Sequence, residues 1–227
     1  MNSVFLLLFP FAFFVAFSAS TNNYKIVSYY VKIRPNVEEN TYNIEETINF
    51  EVIDEVKEIK LKIGKNLDIE DISVSAAEYT LRGNPLYSQY TFEKKDLSYN
   101  KKTEILTLNL NNAEVTKKSS SEGSYFLIRC KGKMADDSKN GAIYVTKKGE
   151  IIGNLKEAAH SVIPYIDSGK SKINLNVVTD KKHKVEAKGI EVSSEKTFSI
   201  EDGVNQNDFS SKKEIGFDQI SFKVIAI

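Results

Sequence analysis

From Tyr42 to Val52 the side chains alternate. Tyr42, Ile44, Ile48, Phe50 and Val52 share one parity, and Asn43, Glu45, Thr47, Asn49 and Glu51 share the other. A period of two places the first set on one face of a β-strand and the second in water. Only Glu46 interrupts the apolar set. This run demands a half-buried strand, and the strand demands antiparallel neighbours that hide the same face.

The signature recurs along the chain. Tyr29, Val31 and Ile33 alternate until Pro35 stops the pattern; Ile59, Leu61 and Ile63 lead to Gly64; Ile69, Ile72 and Val74 follow Leu67. Arg82-Gly83-Asn84-Pro85 is a turn signal, since Gly supplies positive φ and Pro fixes φ for the next bend. Tyr90 and Phe92, then Leu106, Leu108 and Leu110, give two further strands, and the polar stretch from Lys117 to Ser124 reads as a hairpin connection. Phe126, Ile128 and Cys130 continue into Gly132 and Met134. Ile173, Leu175 and Val177 make another strand, as do Ile190 with Val192, Phe198 with Ile200, and the closing Ile220, Phe222, Val224 and Ala226. Helical periodicity nowhere exceeds about two turns. Many short strands with turn signals between them specify an all-β fold, a multi-sheet antiparallel β-sandwich or saddle.

Composition narrows the setting. Val4 to Phe17 is almost wholly apolar and Ser18-Ala19-Ser20 follows, so residues 1–20 read as a secretory signal peptide and 21–227 as one mature domain. The apolar run is shorter than the roughly 20 residues that span a bilayer, so the expectation is a secreted chain with no transmembrane segment. Lysine plus arginine equals aspartate plus glutamate, 31 against 31, which leaves no electrostatic footprint for nucleic acid. Cys130 is the only cysteine, so no internal disulfide forms and burial must supply the stability. A core position suits it, because a free cysteine behaves as a small hydrophobe. No Asn-x-Ser/Thr sequon occurs.

The stretch from Tyr125 to Val178 carries the most specific pattern. A strand from Tyr125 to Lys133 runs into Asp136-Asp137, a second apolar segment follows, and then comes Ile151-Ile152-Gly153-Asn154-Leu155-Lys156-Glu157-Ala158-Ala159-His160-Ser161-Val162-Ile163-Pro164-Tyr165-Ile166-Asp167. This order resembles the amino-terminal β-domain of the zinc aminopeptidases of the aminopeptidase N type, a gluzincin family. There a strand of pattern L-x-I-x-F-x-G-x-L-N-D-D precedes Q-F-E-P-T-D-A-R-R-A-F-P-C-F-D-E-P. The strands ending at Pro35 and at Val52 are similar to that domain's opening, and Ile220 to Ile227 is similar to its closing T-Y-L-V-A-F strand. The resemblance spans nearly all the mature chain but one domain of a multi-domain enzyme.

What the resemblance implies about function is mostly loss. The family's Gln, or Glu in some members, binds the substrate's α-amino group; counting back from Pro164 and Asp167, that position is Gly153, a degenerate substrate anchor with no side chain to bind an ammonium. Glu157 to Ser161 replaces T-D-A-R-R and removes both arginines, whereas Ile163, Pro164, Ile166, Lys172 and Leu175 keep the frame. The zinc motif H-E-x-x-H and the segment G-A-M-E-N do not occur. His160 and His183 are the only histidines, and neither stands at ligand spacing from another candidate; both read as solvated loop residues. Asp136-Asp137 reads as a turn and Lys181-Lys182-His183-Lys184 as a solvated basic tip. No G-x-S-x-G elbow marks an activated serine.

The expectation is therefore a secreted, non-catalytic binding or interaction module with no catalytic residue, cofactor or metal site of its own. Its partner is a peptide, a protein or a second copy, met through the flank that would face a catalytic domain. Two other readings stay open. One is the amino-terminal fragment of a full-length zinc metalloaminopeptidase, motivated by the apolar Val224-Ile225-Ala226-Ile227. The other is an unrelated secreted β-sandwich carrier.

Overall fold

The computed structural model describes residues 23–79, 85–113, 124–137, 141–156, 158–192 and 203–227, with the side chains of 76–88 left undescribed. The leader at 1–20, the turn at Arg82 to Asn84, the loop from Lys117 to 123 and the alternation at Phe198 and Ile200 lie outside the described residues. In chain order the strands are β1 (Tyr24–Asn36), β2 (Thr41–Val52), β3 (Glu58–Lys62), β4 (Leu67–Tyr79), β5 (Pro85–Thr91), β6 (Leu97–Asn100), β7 (Ile105–Asn109) and β8 (Ser124–Lys133). They continue as β9 (Ile143–Val145), β10 (Ile151–Asn154), β11 (Lys172–Asp180), β12 (His183–Lys188), β13 (Glu191–Val192), β14 (Val204–Ser210) and β15 (Ser221–Ala226). The helices among the described residues are single 3-10 turns, at Lys94–Asp96, Ala159–Ser161 and Phe217–Gln219. No helix there is long and apolar enough to cross a membrane.

The strands form three sheets. The largest has eight, in the order β13-β14-β11-β1-β2-β8-β4-β5; a second has four, β12-β15-β10-β9; the third has three, β3-β7-β6. An all-β, multi-sheet and largely antiparallel fold is what the alternation specifies. One pairing departs from that pattern: β1 and β11 run parallel, with Val31 opposite Leu175 and Ile33 opposite Val177. Two bulges repair breaks in the parity. The register of β1 on β2 shifts between Ile26 and Ser28, so Ile26 and Tyr29 both point inward although three positions apart. The register of β4 on β8 shifts between Ile69 and Asp71, which turns Ile72 and Val74 inward after Leu67.

Pro35 does not end its strand. It lies in β1 opposite Tyr42. The parallel ladder with β11 has already stopped at Ile33, so the missing N–H costs no bond on that side.

Tyr42, Ile44, Ile48, Phe50, Phe126, Ile128 and Cys130 all lie within 1 % of complete burial on the inner face of the large sheet. Phe50 and Phe126 stack there at 4.8 Å between centroids. Burying each such side chain contributes about 1.5–3 kcal/mol. Ile59, Leu61, Leu106 and Leu108 from the small sheet and Ile151, Phe222 and Val224 from the four-stranded one join the same cluster.

The segment from Leu155 to Ser171 fastens the three sheets together. The Leu155 amide donates to the Ile220 carbonyl at 3.1 Å, next to β15. Tyr165 exchanges both backbone bonds with Lys62 of β3, at 2.7 and 3.0 Å, and the Gly64 amide donates to the His160 carbonyl at 2.6 Å. On the large sheet, the Tyr29 hydroxyl of β1 donates to the Ile166 carbonyl at 3.1 Å and accepts from the Ile166 amide at 3.2 Å. Ser171 and Ile215 close the segment with reciprocal bonds of 3.0 and 2.9 Å. Between these ties Leu155, Val162, Ile163 and Ile166 sink into the core.

Candidate binding groove

This segment, the clasp, does more than join sheets, because one side of it borders a cavity of about 690 Å³. Asn40, Tyr42, Lys65, Lys133, Asp136 and Tyr144 line it, together with Asn154 and Ser161 of the clasp region. The groove is thus walled by all three sheets or the loops next to them.

Its floor is pinned by polar contacts. The Tyr42 hydroxyl donates to the Ser161 carbonyl at 3.1 Å, and Asn66 Nδ2 donates to the same oxygen at 2.8 Å. Asn40 takes a left-handed φ of 55°, which asparagine tolerates better than most residues, and its Nδ2 donates to the Met134 carbonyl at 3.3 Å. At the rim neither Lys65 nor Lys133 places its ammonium in an ion pair among the described residues. Lys65, Lys133 and Asp136, with several amide and hydroxyl groups, therefore line the cleft.

Glu104 also borders the groove. Its carboxylate meets Nε2 of His160 at 2.9 Å, both groups about 30 % exposed. Holding it there requires a φ of 54° at a non-glycine residue, a conformation that costs on the order of 1 kcal/mol. His160 is therefore anchored and not freely solvated, contrary to the sequence expectation. His183 is anchored too, with Nδ1 at 2.6 Å from Asp180 Oδ1. The hydrogen bond from His183 holds the Asp180 carboxyl below its usual range, with the Lys182 amide adding to it. Among the described residues no group of three or more His, Cys, Asp or Glu side chains converges as a metal site would need.

Gly153 sits in β10 opposite Phe222 of β15, buried. A Cβ at that position would lie 2.1 Å from Phe222 Cε1 and 2.3 Å from its Cζ. The ring fills the space that a side chain would take, so position 153 serves packing, and its neighbour Asn154 is what reaches the groove. Asp136 reaches the same groove, whereas Cys130 is sealed in the core, where burial pushes its thiol far above the ordinary range.

The structure adds residues that the pattern of side chains did not single out. Tyr42 reads as an apolar member of its strand, yet its hydroxyl reaches the clasp. Glu104 carries no sequence signal, because a Lys-Lys-Thr-Glu turn gives no hint that its last residue adopts a left-handed backbone. Glu46 did carry a signal, as the one polar residue on an apolar face. It is completely buried between Val31 and Ile128, and neither carboxyl oxygen has a hydrogen-bond partner. Burial holds its carboxyl well above the usual carboxylate range.

Compared with known proteins, the sequence matches no family model and no curated protein.

Proposed function

We propose that this chain is an extracellular, non-catalytic binding module on a β-scaffold of the aminopeptidase N amino-terminal type. Its ligand is an extended peptide with acidic side chains, held in the groove between the sheets. The observation that carries the reading is the groove itself: about 690 Å³, with Lys65 and Lys133 uncommitted at its rim and asparagine and tyrosine groups along its floor. Clefts of several hundred Å³ with a few placed polar groups are the usual form of a ligand site. The packing of Phe222 against Gly153 supports the non-catalytic part, since it leaves no room for the amine-binding side chain that the resemblance places there.

The test is a selection of displayed peptides on immobilised protein. Acidic peptides are enriched, and they are lost when Lys65→Glu and Lys133→Glu are introduced together. Enrichment that ignores these two substitutions, or enrichment of basic sequences, overturns the assignment. The substitutions are at the groove rim, so unchanged urea unfolding certifies that the fold is intact.

A further inference from the structure

The outward face of the large sheet carries a band of side chains without charge. Two neighbouring rows cross its central strands. In one, Tyr125 of β8, Asn49 of β2 and Ser28 of β1 are cross-strand partners; in the other, Leu127, Thr47, Tyr30 and Asn174 follow one another from β8 to β11. Each points away from the core, since its neighbour in sequence, Phe126, Ile48, Tyr29 or Ile173, is buried. Each keeps part of its surface in water, Tyr30 the most at 45 %. Ser73 and Ser75 of β4 continue the band, again without charge.

The rows on either side differ. One step along the strands stand Arg129, Glu45 and Lys32, with Lys32 and Glu45 paired at 3.8 Å; one step the other way stand Glu51 and Lys25. Lys172, which closes the band beside Ser28, turns its ammonium to the Lys212 carbonyl. Of the whole chain 27 % is charged, and the exposed positions of β12 are Lys184, Glu186 and Lys188. A solvated strand face in this chain is ordinarily charged, and the band is not.

Its hydrogen-bonding groups are mostly unspent. Asn49 Nδ2 donates to Ser28 Oγ at 2.9 Å, which leaves Asn49 Oδ1 and the Ser28 O–H. The side chains of Thr47, Asn174, Tyr30 and Tyr125 have no hydrogen-bond partner among the described residues.

A charge on such a face would lose its water without gaining a partner when a neutral ligand settled there, so a charge-free band suits a neutral ligand. Amides and hydroxyls match a ligand made of hydroxyls, and the electron-rich face of a tyrosine ring attracts the C–H bonds along one side of a sugar ring. A protein partner fits less well, because the centre of a protein interface is apolar and the apolar material here is Leu127 and two tyrosine rings. Four strands at their usual spacing span about 14 Å, room for a short oligosaccharide lying across them.

We propose that this band binds a neutral glycan, with Tyr30 stacking on a sugar ring and Thr47, Asn49 and Asn174 bonding its hydroxyls. The site shares no residue with the groove and does not depend on the peptide reading.

Affinity electrophoresis through native gels holding soluble β-glucan, xylan or galactomannan, with polygalacturonate and heparin as acidic controls, tests the proposal. At least one neutral polymer retards the chain. Tyr30→Ala weakens that retention about tenfold, whereas Tyr30→Phe keeps the ring and stays within about threefold of wild type. Lys65→Glu with Lys133→Glu leaves it unchanged. An unaltered thermal transition certifies the fold of each variant. Retardation by none of the neutral polymers, or by the acidic ones alone, overturns the proposal, as does retention that Tyr30→Ala leaves intact. So does a chain that no polymer retards but that self-associates in sedimentation until Tyr30→Ala separates it, since the face then belongs to a second copy.

Discussion

The ring of Phe222 lies across the face of Gly153, so close that a Cβ on the glycine would come within 2.1 Å of it. The two residues are directly paired across β10 and β15, and an aromatic ring covering a strand glycine restores the packing that the glycine lacks. Gly153→Ala is expected to destabilise the chain by about 1–3 kcal/mol, the usual cost of overpacking a filled core, and Gly153→Gln by more. Urea unfolding measures both. A Gly153→Gln chain as stable as wild type would mean that the ring yields and that position 153 is open after all.

Two tyrosine hydroxyls tie the large sheet to the clasp, and removing them has unequal cost. Tyr29→Phe leaves the Ile166 amide unpaired in a buried setting, while the Ile166 carbonyl keeps the Ser168 amide as a donor at 2.8 Å. Tyr42→Phe removes one bond from the Ser161 carbonyl, which keeps its partner Asn66. The expected losses are about 1–3 kcal/mol for Tyr29→Phe and about 0.5–1.5 kcal/mol for Tyr42→Phe. Denaturant midpoints at unchanged slope check the order of the two.

Glu46 makes stability depend on pH in an unusual direction. The folded chain keeps the proton on this buried carboxyl after the unfolded chain has released it, so the folded state binds more protons and stability falls as pH rises. The fall begins above the ordinary glutamate pKa and continues to the raised one, with a slope of at most about 1.4 kcal/mol per pH unit. Glu39 and Glu186, held low by Lys131 and Lys184, act in the opposite sense but lie at the surface, where such pairs contribute little. Glu46→Leu, flanked by Val31 and Ile128, is expected to raise stability at neutral pH by about 1–4 kcal/mol and to flatten this dependence. Urea titrations between about pH 5 and pH 8 decide it.

Catalysis is tested separately from binding. Purified protein with added zinc is expected to release no amino acid from aminoacyl-anilide substrates above the rate of buffer alone. Zinc-dependent release that a chelator abolishes would contradict the non-catalytic assignment.

The sheets were legible in the sequence because burial on one face leaves a period of two, and Tyr42 to Val52 states it almost without error. The parallel union of β1 with β11 was not legible: Tyr29, Val31 and Ile33 alternate the same way whichever direction the neighbour runs. Nor were the bulges at Val27 and Glu70, which are visible only as a slip in parity between Ile26 and Tyr29 and between Ile69 and Ile72. Pro35 misled for a local reason, since what it forbids depends on whether a neighbour needs its missing N–H. The groove was least legible of all. Asp136 and Asn154 are far apart in sequence from Asn40 and Lys65, and only the crossing of the clasp over three sheets brings them to one cleft. Glu46 was in plain view as a broken pattern, but its lack of any partner belongs to the fold.

Backbone amide exchange with and without an acidic peptide enriched by selection tests the central claim most directly. If the groove between the sheets is the binding site, exchange slows at the amides of 133–136, 142–145 and 154–161, and the outer strands β13 and β14 are unaffected. Slowing confined to β13 and β14, or none around Tyr144 and Asn154 while the peptide is bound, would contradict the account.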